Sequence, residues 1–385
     1  MTRKNQTSFM GKLNDQIADM GGLFNAHLHI DRAETLDATL KMLEIDGAEA
    51  AFALTIAQKH GLIPMIHDSE CYDPKNLEKR VQSCLDRMID LGTSVAHSVV
   101  DVTVDRVGLT ALQTLKSLGD RNRDLIDFRV GAYTPLGLRD DEPERWNLLE
   151  EGAAQADFIG ALPERDDQAD YPEHIGFDAC CDRILDLAFR LQKKVHIHVD
   201  QKNHDRECHT ERVIRLVRQN GYFHHGDEPL IWLIHVISPS AYDENRFQSL
   251  VNDLSELNIG VICCPSAAIS MRQNRNITSP THNSIARVLD MLAAGVFVRL
   301  GNDNVCDITS PYGSLDLMDE LFVLAHAVRY YDLDLLASLG AGVRITDDIR
   351  DRLITHLAAD RKECAFGHDQ YAAVSQHQYI EAKDA

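Results

Sequence analysis

The sequence predicts an α/β fold, a (β/α)8 TIM barrel with a metal site at the C-terminal strand ends. Three observations carry this expectation. Eight short apolar runs recur along the chain, helix-like stretches separate them, and several runs end in histidine or aspartate.

The runs are GLFNAHLH (22–29), TSVAHSVVD (93–101), DFRVGAY (127–133), ADFIGAL (156–162), KVHIHVD (194–200), LIWLIHVI (230–237), NIGVICC (258–264) and VFVRLGND (296–303). They are largely apolar at consecutive positions, as in a parallel strand covered on both faces. Residues 77–92, 105–119, 177–194, 210–221, 242–258 and 284–295 place apolar side chains at helical spacing, with Gly119 expected as a C-cap. A doubly wound open sheet is the structural alternative. Eight repeats with chemistry at the strand ends favour closure. The expected organisation is an N-terminal extension (1–21), a barrel with C-terminal helices (22–360, the helices at 314–332 and 347–360) and a polar tail (361–385).

Composition narrows the function classes. A chain of 385 residues is long enough for a single barrel domain. A formal charge of −21 repels phosphate backbones, so nucleic acid is not an expected partner. No run of about 18 apolar residues marks a membrane span, and the first residues lack a secretory apolar segment. Nine cysteines, without CxxC spacing, read as reduced thiols of a cytoplasmic protein. The expected partner is a small-molecule substrate, with a homo-oligomer as a further option.

His27 and His29 are two residues apart at the end of the first run, and side chains at that spacing share one face of a strand. With 18 histidines in the chain, one such pair is weak evidence alone. Its weight comes from recurrence, because His198, His235 and Asp303 also close apolar runs. In a (β/α)8 barrel all C-terminal strand ends meet on one face. Imidazoles and a carboxylate gathered there suit one divalent metal ion, zinc or iron. His196 shares the inward face with His198, either as a deeper layer residue or as a partner of the ligands. His97, His224 and His225 read as ordinary.

The segments NAHLHIDRAET, LTIAQKHGLI, ADFIGALPE, HIHVDQ, IHVIS, CCPSAAISM and GNDNVCD together resemble the amidohydrolase superfamily. The nearest subgroup is that of cytosine deaminase and N-isopropylammelide isopropylaminohydrolase. The resemblance runs from about residue 22 to about 315. It implies a metal held by His27, His29, His198 and Asp303, and a strand-six histidine, His235, acting on the attacking water or the substrate. His235 and Asp303 are then the catalytic pair. The fourth run (IGALPER) has no lysine to bridge two metals, so one ion is expected.

Several positions depart from that pattern. Gln201 stands where cytosine deaminase has a proton-carrying glutamate, and Asn304 where it has an aspartate. YTPLG replaces the region of its substrate-binding glutamine. Arg32 occupies the place of a lysine in the isopropylammelide enzymes; it either holds substrate or pairs with Asp31 or Glu34. The expected substrate-side residues are Gln201, Asn304, Arg32 and Glu164, with Asp101, Ser238, Met271 and Arg272 as further candidates. Only about twenty residues precede the first strand, so the family's β-sandwich subdomain is expected to be absent or vestigial. The reading is a metal-dependent hydrolase that cleaves a C–N bond of a small nitrogen heterocycle. The alternative is a catalytically altered binding protein on the same scaffold, since Gln201 and Asn304 replace acidic residues.

Overall fold

The structure, a computed structural model, describes residues 7–44, 53–271 and 285–362. Eight strands form one sheet in sequence order: β1 (Leu23–Leu28), β2 (Thr93–Asp101), β3 (Asp127–Tyr133), β4 (Phe158–Ala161), β5 (Val195–Val199), β6 (Ile231–His235), β7 (Gly260–Cys263) and β8 (Val298–Leu300). Every neighbouring pair is parallel. The sheet closes where β8 runs out. His29 N donates to Asp303 O (3.2 Å) and Asp303 N donates to His27 O (3.0 Å), with a parallel bridge between Leu28 and Asp303. Gly301 permits this approach, because a Cβ there would lie 2.7 Å from the His27 carbonyl oxygen.

Each of the eight apolar runs contains a strand, so the architecture is the closed barrel and not the open sheet. The strands are shorter than the runs at several ends. β8 stops at Leu300, and Asn302 pairs through its side chain and its backbone N–H with Asn25 instead of extending a ladder. Asp303 itself lies in the left-handed region (φ 62°). Among the described residues every strand belongs to this one sheet, and no β-sandwich accompanies it.

The helices surround the barrel: α1 (Ser8–Asp19), α2 (Pro74–Asp90), α3 (Thr110–Asn122), α4 (Pro143–Gln155), α5 (Phe177–Leu191), α6 (His209–Asn220), α7 (Glu244–Glu256), α8 (Val288–Ala293), α9 (Leu317–Ala327) and α10 (Leu333–Gly340). Residues 347–362 are also helical. Two expectations need correction. The third helix begins at Thr110 and not at 105, because the Asp105 carboxylate accepts from Val107 N (3.0 Å) and Thr103 Oγ1 (2.7 Å) and holds a turn. Gly119 lies inside that helix, where it admits the Phe128 carbonyl (3.1 Å from a Cβ placed on Gly119), and so it does not cap the end. α4 was not foreseen. It buries only Leu149, Gly152 and Ala153, too narrow an apolar stripe to stand out in the sequence. The tail from residue 363 and Arg272 lie outside the described residues.

The N-terminal end of the barrel is filled and covered. Arg299 is buried there, with Phe24, Trp232 and Phe297 around its guanidinium at 4.4–4.7 Å. It donates to Gly342 O (2.9 Å) and Glu228 Oε1 (2.9 Å). α10 packs on α1 through Ile17 and Gly340, so the N-terminal extension is a structural part of the floor. The eight described cysteines are free thiols. No helix among the described residues is long and apolar enough to cross a membrane.

Candidate metal centre and substrate cavity

At the opposite end of the barrel His27, His29, His198 and Asp303 come together. One ligand atom from each lies within 4.8 Å of all the others, and all four residues are buried. His27 Nε2 is 3.0 Å from His198 Nε2, His29 Nε2 is 3.3 Å from Asp303 Oδ1, and His27 Nε2 is 3.8 Å from the same oxygen. His235 Nε2 stands 4.0 Å from Asp303 Oδ2. His198 Nδ1 meets Ala161 O at 3.0 Å, the contact that turns its Nε2 toward the others.

Backbone geometry aims these groups. His235 (φ 75°), Val236 (φ 51°), Asp200 (φ 55°) and Asp303 (φ 62°) all adopt positive φ where β5, β6 and β8 end. Non-glycine residues in this region carry strain that surrounding structure must sustain, and such residues cluster at functional sites.

The electrostatics fit a cation. Burial and the neighbouring imidazoles push His27 and His198 well below the usual histidine range, and burial lowers His235 as well. These rings are therefore neutral, with lone pairs to offer. Burial works to raise the Asp303 carboxyl, but the close approach of the His29 imidazole holds it below its ordinary value. His27 Nδ1, His235 Nδ1 and Asp303 Oδ1 are buried without a hydrogen-bond partner. Independently of the outward Nδ1 atoms, the Nε2 atoms of His27, His29 and His198 and the Asp303 oxygen face one another, an arrangement of acceptors that a shared cation would satisfy. The donor set, imidazoles plus one carboxylate, thus fits a divalent cation.

The centre opens into a cavity of about 920 Å³, whose walls include His29, His198, His235, Asp303, Arg32, Gln201 and Asn304. Arg32 is buried, faces Asp101 Oδ2 at 3.5 Å and contacts His29 Nδ1. Of its two expected ion-pair partners, Glu34 turns away to Arg87. Gln201 Nε2 donates to Glu164 Oε2 (3.0 Å), and Asn304 Nδ2 donates to Asp307 Oδ2 (2.6 Å).

Glu164 does not line the cavity. The turn after β4 gives that wall to Leu162 and directs Glu164 behind Gln201, against His209 Nδ1 (3.0 Å). Asp101 and Ser238 are likewise set back. Asp101 faces His67 and Tyr72, and Ser238 Oγ donates to Glu207. Met271 does line the cavity. His196 sits a layer below, its ring 4.4 Å from that of Phe158.

Sequence reasoning missed Lys59 and His60, which reach the cavity from the short helix Ile56–His60. Burial and the nearby Arg32 lower His60 to about 3. Nothing in LTIAQKHGLI marks either residue, since their position depends on how the long β1–β2 connection folds back. His67 was also missed. It bridges Asp101 (3.0 Å) and Asp105 (2.7 Å), and although burial opposes it, those two carboxylates raise it to about 9.

These features define a (β/α)8 barrel with a candidate metal centre at the mouth of a small-molecule cavity. Within that class the chain is similar in fold to a solved deaminase and a solved aminohydrolase. It superposes on 5-methylcytosine deaminase from Klebsiella pneumoniae with a TM-score of 0.71 at 21% identity, covering 84% of this chain and 74% of that one. For N-isopropylammelide isopropylaminohydrolase from Burkholderia multivorans the values are 0.62 and 17%, covering 87% and 82%. In sequence it is 27% identical over 285 residues to an uncharacterized protein of Haemophilus influenzae, covering 74% of this chain and 95% of that protein. It is 22% identical over 260 residues to a pterin deaminase of Rhizobium rhizogenes. That match covers 67% of this chain and 55% of the relative, so the chain spans little more than half of that relative's length. No protein-family model matches the chain.

Proposed function

We propose that this protein is a metal-dependent amidohydrolase that hydrolyses a C–N bond of a small nitrogen heterocycle, releasing ammonia or an amine. The observation that carries the reading is the buried convergence of His27, His29, His198 and Asp303 beside the cavity, with imidazole Nε2 atoms and a carboxylate oxygen facing one another. These four residues hold one divalent cation, zinc or iron. Such an ion supplies Lewis acidity and a water acidified toward neutrality. Deaminases and an aminohydrolase of heterocycles among the similar proteins support the substrate class.

The protein's own groups divide the remaining work. Asp303 is ionised at neutral pH and takes the proton of the attacking water, which it returns to the departing nitrogen. His235 is neutral and buried, and it donates a hydrogen bond to the oxygen on which negative charge develops. Gln201 and Asn304 neither gain nor lose a proton near neutral pH, and they orient the substrate. Arg32 stays protonated, since Asp101 and Asp31 outweigh its burial, and it holds a carbonyl or anionic group. The intact donor set speaks against a scaffold that only binds.

The test is amine or ammonia release across pyrimidines, triazines and pterins, together with the metal content of the purified protein. About one equivalent of zinc or iron and turnover of at least one heterocycle are expected. A protein that acquires no metal and turns over none of them would sink the reading.

A further inference from the structure

We propose that Gln201 and Asn304 each present a hydrogen-bond acceptor to the cavity because a carboxylate behind them fixes which way their amides face, and that the site therefore selects molecules bearing N–H donors. This rests on the proposed function and names the substrate chemistry of the same site.

The orientation of a side-chain amide follows from its neighbours, since its two ends differ only in donating or accepting. An ionised carboxylate has no proton to give, so an amide beside it must turn its NH2 that way. Gln201 gives Nε2 to Glu164 Oε2 (3.0 Å), and Asn304 gives Nδ2 to Asp307 Oδ2 (2.6 Å). Both carboxylates are themselves anchored. Glu164 Oε1 meets His209 Nδ1 (3.0 Å), and the His209 ring is stacked on Phe177 with centroids 4.5 Å apart. Asp307 Oδ1 accepts from Thr309 N (2.8 Å) and Ser310 N (2.9 Å). Burial raises the Asp307 carboxyl, and the nearby Arg32 guanidinium opposes that shift.

Gln201 Oε1 and Asn304 Oδ1 have no hydrogen-bond partner among the described residues, and both residues line the cavity. They follow β5 and β8, so the two acceptors flank the metal centre from different strands. The positions where the resembled enzymes carry acids thus hold neutral acceptors here, with the negative charge set one side chain back. A ring nitrogen or exocyclic amine that donates satisfies these oxygens. An acceptor or an anion placed there meets a carbonyl oxygen backed by a carboxylate. Glu164 and Asp307 act through the amides and are positioning residues.

The test compares binding of 2-aminopyrimidin-4-one with that of 2-methylpyrimidin-4-one, which matches it in shape but lacks the exocyclic donor. Calorimetry on the full-length protein, with and without added zinc, reads affinity independently of turnover. The amino compound is expected to bind about tenfold tighter. Glu164→Gln frees the Gln201 amide to turn either way and should bring that ratio down several-fold. A purely structural loss would weaken both probes alike, and circular dichroism checks that the variant folds. Gln201→Glu keeps an acceptor and should retain the preference, whereas Gln201→Leu should lose it. Equal affinity for the two probes, no binding of either, or an unchanged ratio in both Glu164→Gln and Gln201→Leu overturns the proposal. Preference without turnover of any heterocycle would instead count against the hydrolase reading alone.

Discussion

Two polar clusters lie side by side at the barrel mouth, and they are built on opposite principles. In one, His27, His29, His198 and Asp303 converge with no cationic side chain in the set. In the other, charge faces opposite charge. Asp101 meets Arg32 (3.5 Å) and His67 (3.0 Å), Tyr72 Oη donates to Asp31 (2.9 Å) and Asp101 (3.1 Å), and Asp31 accepts from Asp101 N (2.9 Å). Burial would raise Asp101, yet Arg32 and His67 bring it to about 2. A cluster that neutralises itself supports the fold. A cluster of acceptors with no counter-charge among them is arranged for a cation that comes from outside. Both are buried and polar, and both keep unpartnered atoms (Asp31 Oδ1 and Asp101 Oδ1 in one, Asp303 Oδ1 in the other), so neither burial nor hydrogen bonding alone tells them apart; the balance of charge does.

The largest effect should come from the unsatisfied cluster. His27→Ala or Asp303→Asn is expected to lower amine release by at least about a thousandfold and to reduce bound metal, while the melting temperature of the metal-free protein changes little. Elemental analysis and a turnover assay read this. Retention of full metal content in both variants would erase the distinction between the clusters.

The self-neutralising cluster should show the reverse pattern. His67→Ala leaves Asp101 and Asp105 without that imidazolium and should cost about 3–5 kcal/mol in denaturant unfolding, with metal content unchanged. Its pH dependence has a definite sign. His67 is raised to about 9 in the folded protein from an ordinary value of 6.5. Its contribution is therefore complete below about 6.5 and is lost as pH rises through about 9. The stability difference between the native protein and His67→Ala should narrow over that window, and a gap that widens instead would contradict the assignment.

The smallest effect is expected at the surface. Arg87 and Glu34 form an ion pair with side chains 52% and 36% exposed. Solvent screens such a pair, so Arg87→Ala should change stability by no more than about 1 kcal/mol and leave metal binding untouched. A larger loss would show that Glu34, whose backbone adopts φ 58°, depends on this contact to hold the β1 loop.

Much of this was legible in the sequence because barrel chemistry follows strand periodicity. His27 and His29 share a face by the spacing of two, and His198, His235 and Asp303 mark the ends of apolar runs. Glu164 was less legible. Its nearness to a strand end suggested the cavity wall, but a single short 3-10 turn sends it behind Gln201. Lys59, His60 and His67 were not legible at all, because their positions depend on a connection of more than sixty residues between β1 and β2.

The order of strands and the identity of the converging imidazoles and carboxylate were determined by the sequence itself, since alternation along a strand is a local property that adjacent residues impose. Which amide end faces the cavity, which carboxylates pair with cations and which lone pairs stay free were decided by the tertiary structure. Those outcomes depend on groups far apart in the chain, such as Gln201 with Glu164 and Asp101 with His67, and no local pattern encodes a hydrogen bond between them.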